Sequence, residues 1–213
     1  MPCNLQLQGI SFGKKVVTIK ALIDKIITDG EVFPGNILKV GSFLNQQVDT
    51  DLMEQIGEEG ARLYKDAGIT KVLTVEASGI TIAFATALKL HVPMIFAKKY
   101  GATNVTGNVY HAPVYSFTHQ KTYDIVVSRD YLGPDDVVLI CDDFLAKGNA
   151  LNGLIRIVEE SGAKLAGALI AIEKAFQEGG DLLREEGVRV ESLAIIESMD
   201  DGKIVFRNQD DMN

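Results

Sequence analysis

The chain has 213 residues, 46% of them hydrophobic, with no apolar run near the roughly 18 residues a membrane span requires, so one sizeable core in water is expected. Its 29 Asp and Glu against 21 Lys and Arg give a net charge of -8, the wrong sign for a protein that works by contact with a nucleic-acid backbone. Two cysteines, Cys3 and Cys141, suggest neither a disulfide framework nor a zinc cluster, which fits a reducing cytoplasm.

Residues 1–18 mix Gln, Gly and a Lys14-Lys15 pair without the apolar stretch or cleavage site of a secretory signal. They read as an N-terminal extension, either a tail or the product of a misplaced start. From residue 20 to 27 the apolar Leu22, Ile23, Ile26 and Ile27 fall at helical spacing, Pro34-Gly35 marks a turn, and a short apolar stretch covers 37–40. Thr50 is the expected N-cap of a helix over 51–67, with Asp51 and Glu54 in its first turn and Gly68 beyond its end. Strands at 71–75, 94–97 and 137–141 alternate with helices at 80–90 and 149–161, and further apolar runs cover 165–172 and 190–196. That alternation predicts an α/β fold with a parallel sheet covered on both faces. Between 100 and 124 the alternation breaks into a long polar and aromatic stretch, which reads as a lid or hairpin excursion.

The most informative stretch is the apolar run 137–141, the acids Asp142 and Asp143, the small-residue turn Phe144-Leu145-Ala146-Lys147-Gly148, then Asn149-Ala150 opening a helix. Ligands of open parallel sheets bind beyond the carboxyl ends of strands, which puts both acids at a site edge. Adjacent carboxylates suit a sugar diol, and a turn of small residues before a helix suits a phosphate. On their own the acids would equally suit a metal or the bare surface. Val75-Glu76-Ala77-Ser78-Gly79-Ile80 repeats the strand, small turn and helix; alone it would be an ordinary helix cap. His91, His111 and His119 have neither metal spacing nor a triad partner.

The 137–150 stretch resembles the phosphoribosyl-diphosphate (PRPP) signature of type I phosphoribosyltransferases. The resemblance implies their fold: a central parallel sheet flanked by helices, a hood from about 19–50 and 175–213 over a core of about 51–174, and a flexible lid hairpin. It assigns Asp142 and Asp143 to the ribose hydroxyls as the catalytic pair, and Ala146, Lys147, Gly148, Asn149 and Ala150 to the 5′-phosphate. Glu76, Ala77, Ser78 and Gly79 would meet the pyrophosphate, with Lys99, beside Lys98, offsetting its charge, in one arrangement across a dimer interface. Ala146 and Ala150 lack the hydroxyls that many relatives place in this turn, so phosphate binding would lean on backbone N–H groups and the side chains of Lys147 and Asn149.

Lys174, after the apolar run 168–172, matches the lysine with which purine-specific relatives recognise the exocyclic oxygen of a 6-oxopurine; an ammonium would clash with the amino group of adenine. Leu38-Lys39-Val40 and Ser42-Phe43-Leu44-Asn45 resemble the hood of the xanthine-specific members of the family. There Leu38 and Asn45 would line the base pocket, Asn45 on the 2-oxo side, with Phe144 either against the purine face or in the core. The implied reaction transfers the 5-phosphoribosyl group of PRPP to xanthine, giving xanthosine 5′-monophosphate and pyrophosphate. Mg2+ would travel with the PRPP rather than sit in a protein cage, and a homodimer is expected, with no nucleic-acid or membrane partner. Guanine or hypoxanthine transfer is the alternative within the family. A PRPP- or nucleotide-sensing regulator on the same fold is a more distant alternative.

Overall fold

The computed structural model describes residues 19–99, 107–116, 121–199 and 203–207. The extension expected over 1–18 lies outside them, as do 100–106 and the turn at 117–120 of the 100–124 excursion. Leu22 and Ile26, one helical turn apart, bury α1 (Lys20–Asp29). A ribbon follows, β1 (Glu31–Phe33) antiparallel to β2 (Ile37–Lys39), reversed through Gly35 and Asn36 at φ +84° and +61°. A single π-type turn, Gly41–Asn45, then buries Phe43 and Leu44.

Helix α2 (Thr50–Tyr64) is capped by Asp49 rather than Thr50, because the Asp49 carboxylate accepts from the backbone N–H of Leu52 at 3.1 Å. It ends at Tyr64, short of the expected 67. From there β3 (Lys71–Val75), α3 (Gly79–Leu90) and β4 (Met94–Lys99) form the first parallel unit. The excursion is largely a hairpin, β5 (Val109–Ser116) on β6 (Lys121–Ser128). Then come β7 (Val137–Leu145), α4 (Asn149–Ser161), β8 (Lys164–Lys174), a 3-10 turn Ala175–Gln177, α5 (Gly179–Glu185), β9 (Val190–Ser198) and β10 (Val205–Phe206).

The main sheet has the order β10-β9-β8-β7-β3-β4-β6-β5. Its five central strands are parallel, as expected, while the hairpin and β10 add antiparallel edges. Parallel strands buried on both faces read as continuous apolar runs, and successive side chains divide between two cores. Leu139 and Cys141 join Leu169 and Ala171 under α1, α2 and α3, whereas Val138 and Ile140 join Ala168 and Ile170 under α4 and the hairpin. No described helix is long and apolar enough to cross a membrane.

Candidate active site

β7 does not stop where its apolar run ends. It continues through both acids to Leu145, so Asp142 and Asp143 are the late residues of a buried strand, 7% and 9% exposed, rather than the start of a loop. The Asp143 N–H donates to Asp142 Oδ1 at 3.0 Å, and Asn45 Nδ2 donates to Asp143 Oδ2 at 3.2 Å. Burial, and then the charge of Asp143, push the Asp142 carboxyl well above its ordinary range.

Beyond the acids the chain turns through Gly148, in the left-handed region at φ +81°, into α4, whose first hydrogen bond runs from Asn152 N to Gly148 O. The N-terminal N–H groups of α4 therefore face this turn without intrahelical partners. The Asn149 side chain donates to the backbone carbonyl of Tyr115 at 3.0 Å, tying the turn to the end of β5. Ala146 through Ala150 line a cleft of about 680 Å3 that also takes in Leu38, Phe144 and Lys174.

β3 delivers the second loop next to the first because β3 pairs with β7. The Glu76–Ala77 peptide is cis, and the Glu76 carboxylate accepts from the backbone N–H of Lys99 at 2.8 Å. Ser78 precedes α3 but its side chain makes no capping bond. Gly79 is required by close approach: a Cβ there would lie 2.2 Å from Thr74 Oγ1 and 2.7 Å from Asp142 Oδ1. The Lys99 ammonium stands 5.3 Å from the centroid of the Tyr123 ring, and that of Lys98 stands 5.8 Å from Phe96.

At the end of β8 the Lys174 ammonium lies 5.4 Å from the centroid of Phe144 and donates to the carbonyl of Asn36 in the ribbon turn at 2.8 Å. Burial lowers its pKa from the usual lysine value. Phe144, half-buried, faces the cleft edge instead of being sealed in the core. Asn45 is not on the wall of this cleft; it borders an adjoining recess of about 380 Å3, and Leu38 lines both.

Comparison with known proteins decides the family. A model of the phosphoribosyl transferase domain matches residues 46–201. The xanthine phosphoribosyltransferase of Lachnoclostridium phytofermentans is 52% identical over 191 residues, 89% of this chain and 98% of the relative, and that of Heliobacterium modesticaldum is 55% identical over 188 residues, 88% and 100% of the two. The chain belongs to the phosphoribosyltransferase family. Solved structures agree on the fold of this phosphoribosyltransferase. The APRTase from Giardia lamblia superposes with a TM-score of 0.68 at 25% identity, covering 82% of this chain and 96% of that one. The adenine phosphoribosyltransferase from Rhodothermus marinus gives 0.67 at 22%, covering 82% and 98%.

Three groups at the phosphoribosyltransferase site escape the sequence. The Asn36 carbonyl reaches Lys174 across 138 residues of sequence, Tyr115 offers its carbonyl to Asn149, and the Gly179 N–H donates to Ala146 O at 3.1 Å. Two are backbone acceptors and one a backbone donor, so no side-chain pattern announces them. The adjacent Gly179-Gly180 pair at the start of a short helix is the one available signal for the third.

Proposed function

We propose that this phosphoribosyltransferase transfers the 5-phosphoribosyl group of PRPP to xanthine, releasing pyrophosphate and forming xanthosine 5′-monophosphate in purine salvage. The observation that carries the choice of base is Lys174: a donor-only cation at the cleft beside Phe144, matched to a 6-oxo group and mismatched to the 6-amino group of adenine. The names of relatives about half identical along nearly their whole length support xanthine over other oxopurines.

In this reading a ring nitrogen of xanthine attacks C1′ of the ribose as the bond from C1′ to the pyrophosphate oxygen breaks, and positive charge builds on the ribose ring. The chain contributes position and electrostatics. Asp142 and Asp143 hold the ribose hydroxyls. The 146–150 turn and the start of α4 hold the 5′-phosphate, and the Glu76–Gly79 loop with Lys99 receives the pyrophosphate. Leu38 and Phe144 flank the base, Lys174 meets its 6-oxo group, and Asn45 is assigned to the 2-oxo side from the recess that adjoins the cleft at Leu38. Ala146 carries no carboxylate to manage the purine proton; xanthine, an acidic base, enters partly as its anion paired with Lys174. The β5–β6 hairpin, tethered at Tyr115, shields the ribosyl centre from water.

No group of three or more His, Cys, Asp or Glu side chains among the described residues forms a metal cage. Two carboxylates fit an ion that arrives on its substrate, since Mg2+ retains waters and takes one or two carboxylates beside phosphate oxygens. Bound there with PRPP beside Asp142 and Asp143, Mg2+ would stabilise the departing pyrophosphate. The hood comprises about 19–50 with the segment from 175 to 189, since β9 belongs to the main sheet rather than to the hood expected over 175–213, and the protein works in the cytoplasm as a homodimer, for which the exposed Phe84 and Leu88 on α3 offer an apolar surface.

The test is pyrophosphate release from PRPP and Mg2+ with xanthine, guanine, hypoxanthine or adenine supplied separately. Xanthine is expected to be at least about tenfold more efficient than any other base, a difference of about 1.4 kcal/mol. Preference for guanine or hypoxanthine would sink the base assignment, and PRPP binding without turnover would favour a regulator.

A further inference from the structure

The last two residues of β8 project to opposite sides of the strand. Lys174 stands in the cleft, and Glu173 is fully buried behind it. Arg184 of α5 grips Glu173 with both arms of its guanidinium, Nη1 to Oε1 at 2.8 Å and Nη2 to Oε2 at 2.6 Å, and the Ser192 hydroxyl of β9 donates to the same Oε2. Arg184 Nε also donates to the Val190 carbonyl at 3.3 Å. A buried ion pair adds little net stability over an apolar pair of the same shape, whereas its bidentate geometry fixes direction.

What this pair fixes is the start of α5. The two glycines that open α5 each meet a different neighbour. A Cβ on Gly180 would fall 2.2 Å from Glu173 Oε1, so the helix start lies directly on the ion pair. A Cβ on Gly179 would fall 2.3 Å from Ala146 O and 2.7 Å from Gly148 N, and Gly179 donates its own N–H to Ala146. Leu183, one turn on, comes within 3.4 Å of where a Gly148 Cβ would stand. The turn at 146–148 is thus braced from outside by a helix that the Glu173–Arg184 pair holds in place.

We infer that Glu173 and Arg184 are positioning residues for the phosphate-binding turn: they touch no substrate, and they set the affinity for the 5′-phosphate end of PRPP through Gly179. The inference rests on the proposed placing of the 5′-phosphate in the 146–150 turn.

Two substitutions probe the brace from opposite ends. Arg184→Lys keeps the charge but gives up the two-armed grip. Gly179→Ala leaves the ion pair alone and pushes on the Ala146 and Gly148 backbone. Ribose 5-phosphate binding is measured by titration calorimetry, with kcat and the two KM values, and thermal melting, for each protein. Both variants are expected to lose about tenfold in ribose 5-phosphate affinity and to gain about tenfold in KM for PRPP, because sub-ångström displacements of a binding frame cost of that order. KM for xanthine should stay within about twofold, a split that general loosening of the fold would not produce. Unchanged ribose 5-phosphate affinity in either folded variant, or equal rises in both KM values, would overturn the inference. Wild-type protein that neither binds ribose 5-phosphate nor turns over PRPP would overturn the functional reading itself.

Discussion

Asn45 Nδ2 and Asp143 Oδ2 are 3.2 Å apart, so a turn that precedes α2 is hydrogen-bonded to the acidic pair at the end of β7. Removing the amide and reversing its electrostatics have different consequences. Asn45→Ala should raise KM for PRPP up to about tenfold, since the amide holds the Asp143 carboxyl assigned to the ribose and a hydrogen bond contributes about 0.5–1.5 kcal/mol. Asn45→Asp should be worse, because a second carboxylate at this distance costs about 1–4 kcal/mol. Steady-state kinetics with PRPP varied, alongside thermal melts, checks the order; an Asp variant as active as Ala would count against the contact.

Asp142 is held at some cost to the fold. Burial and Asp143 raise its folded pKa above the unfolded value, so its contribution to stability is present at low pH and is lost as pH rises through the folded value. Ionising Asp142 in the folded chain puts a buried charge beside Asp143, so folding loses stability as pH rises from the ordinary carboxylate range toward the folded value. Asp142→Asn, which cannot ionise, should therefore lose less stability between pH 4 and pH 8 than the native chain does, while abolishing turnover. Calorimetric melts at pH 4 and pH 8 decide it.

The lowered pKa of Lys174 sets an alkaline limit. Its ammonium is needed opposite the base, so kcat/KM for xanthine should fall with rising pH along a limb that begins below the usual lysine value of 10.5. Lys174→Arg should move that limb to higher pH, and Lys174→Met should lower kcat/KM about a hundredfold across the range. Xanthine ionises identically in both assays, so the displacement of the limb isolates the lysine.

Gly79 admits no side chain. A Cβ there would press on Thr74 Oγ1, a buried hydroxyl without a hydrogen-bond partner among the described residues, and on Asp142 Oδ1. Gly79→Ala should cost about 1–3 kcal/mol of stability and most of the activity. Adding Thr74→Ala should recover part of the stability, a non-additivity that a double-mutant cycle measures.

Much of this architecture is legible from local pattern. The strand at Lys71–Val75 and the helix at Asn149–Ser161 stand at the bounds that periodicity predicts, because apolar spacing and the Gly148 turn act over a few residues. The end of β7 misleads for a physical reason: Asp142 and Asp143 have the composition of a loop, yet β8 pairing carries them as strand. At α2 two capping residues stand side by side, and only geometry shows that Asp49 accepts from Leu52. Side-chain chemistry marks Lys174 and the acids. The Glu173–Arg184 pair and the contacts of Gly179 join segments by tertiary packing, for which a single sequence has no periodic signature.

The adjacency of β3 and β7 also governs when the site comes into being. The two loops that would grip opposite ends of PRPP belong to strands separated in sequence by α3, β4 and the whole hairpin, so their pairing closes a long loop and no local stretch of chain holds both. A chain cut before Val137 would hold only one of the two grips. Pairing of β3 with β7 is therefore the single backbone event that brings both grips to one cleft.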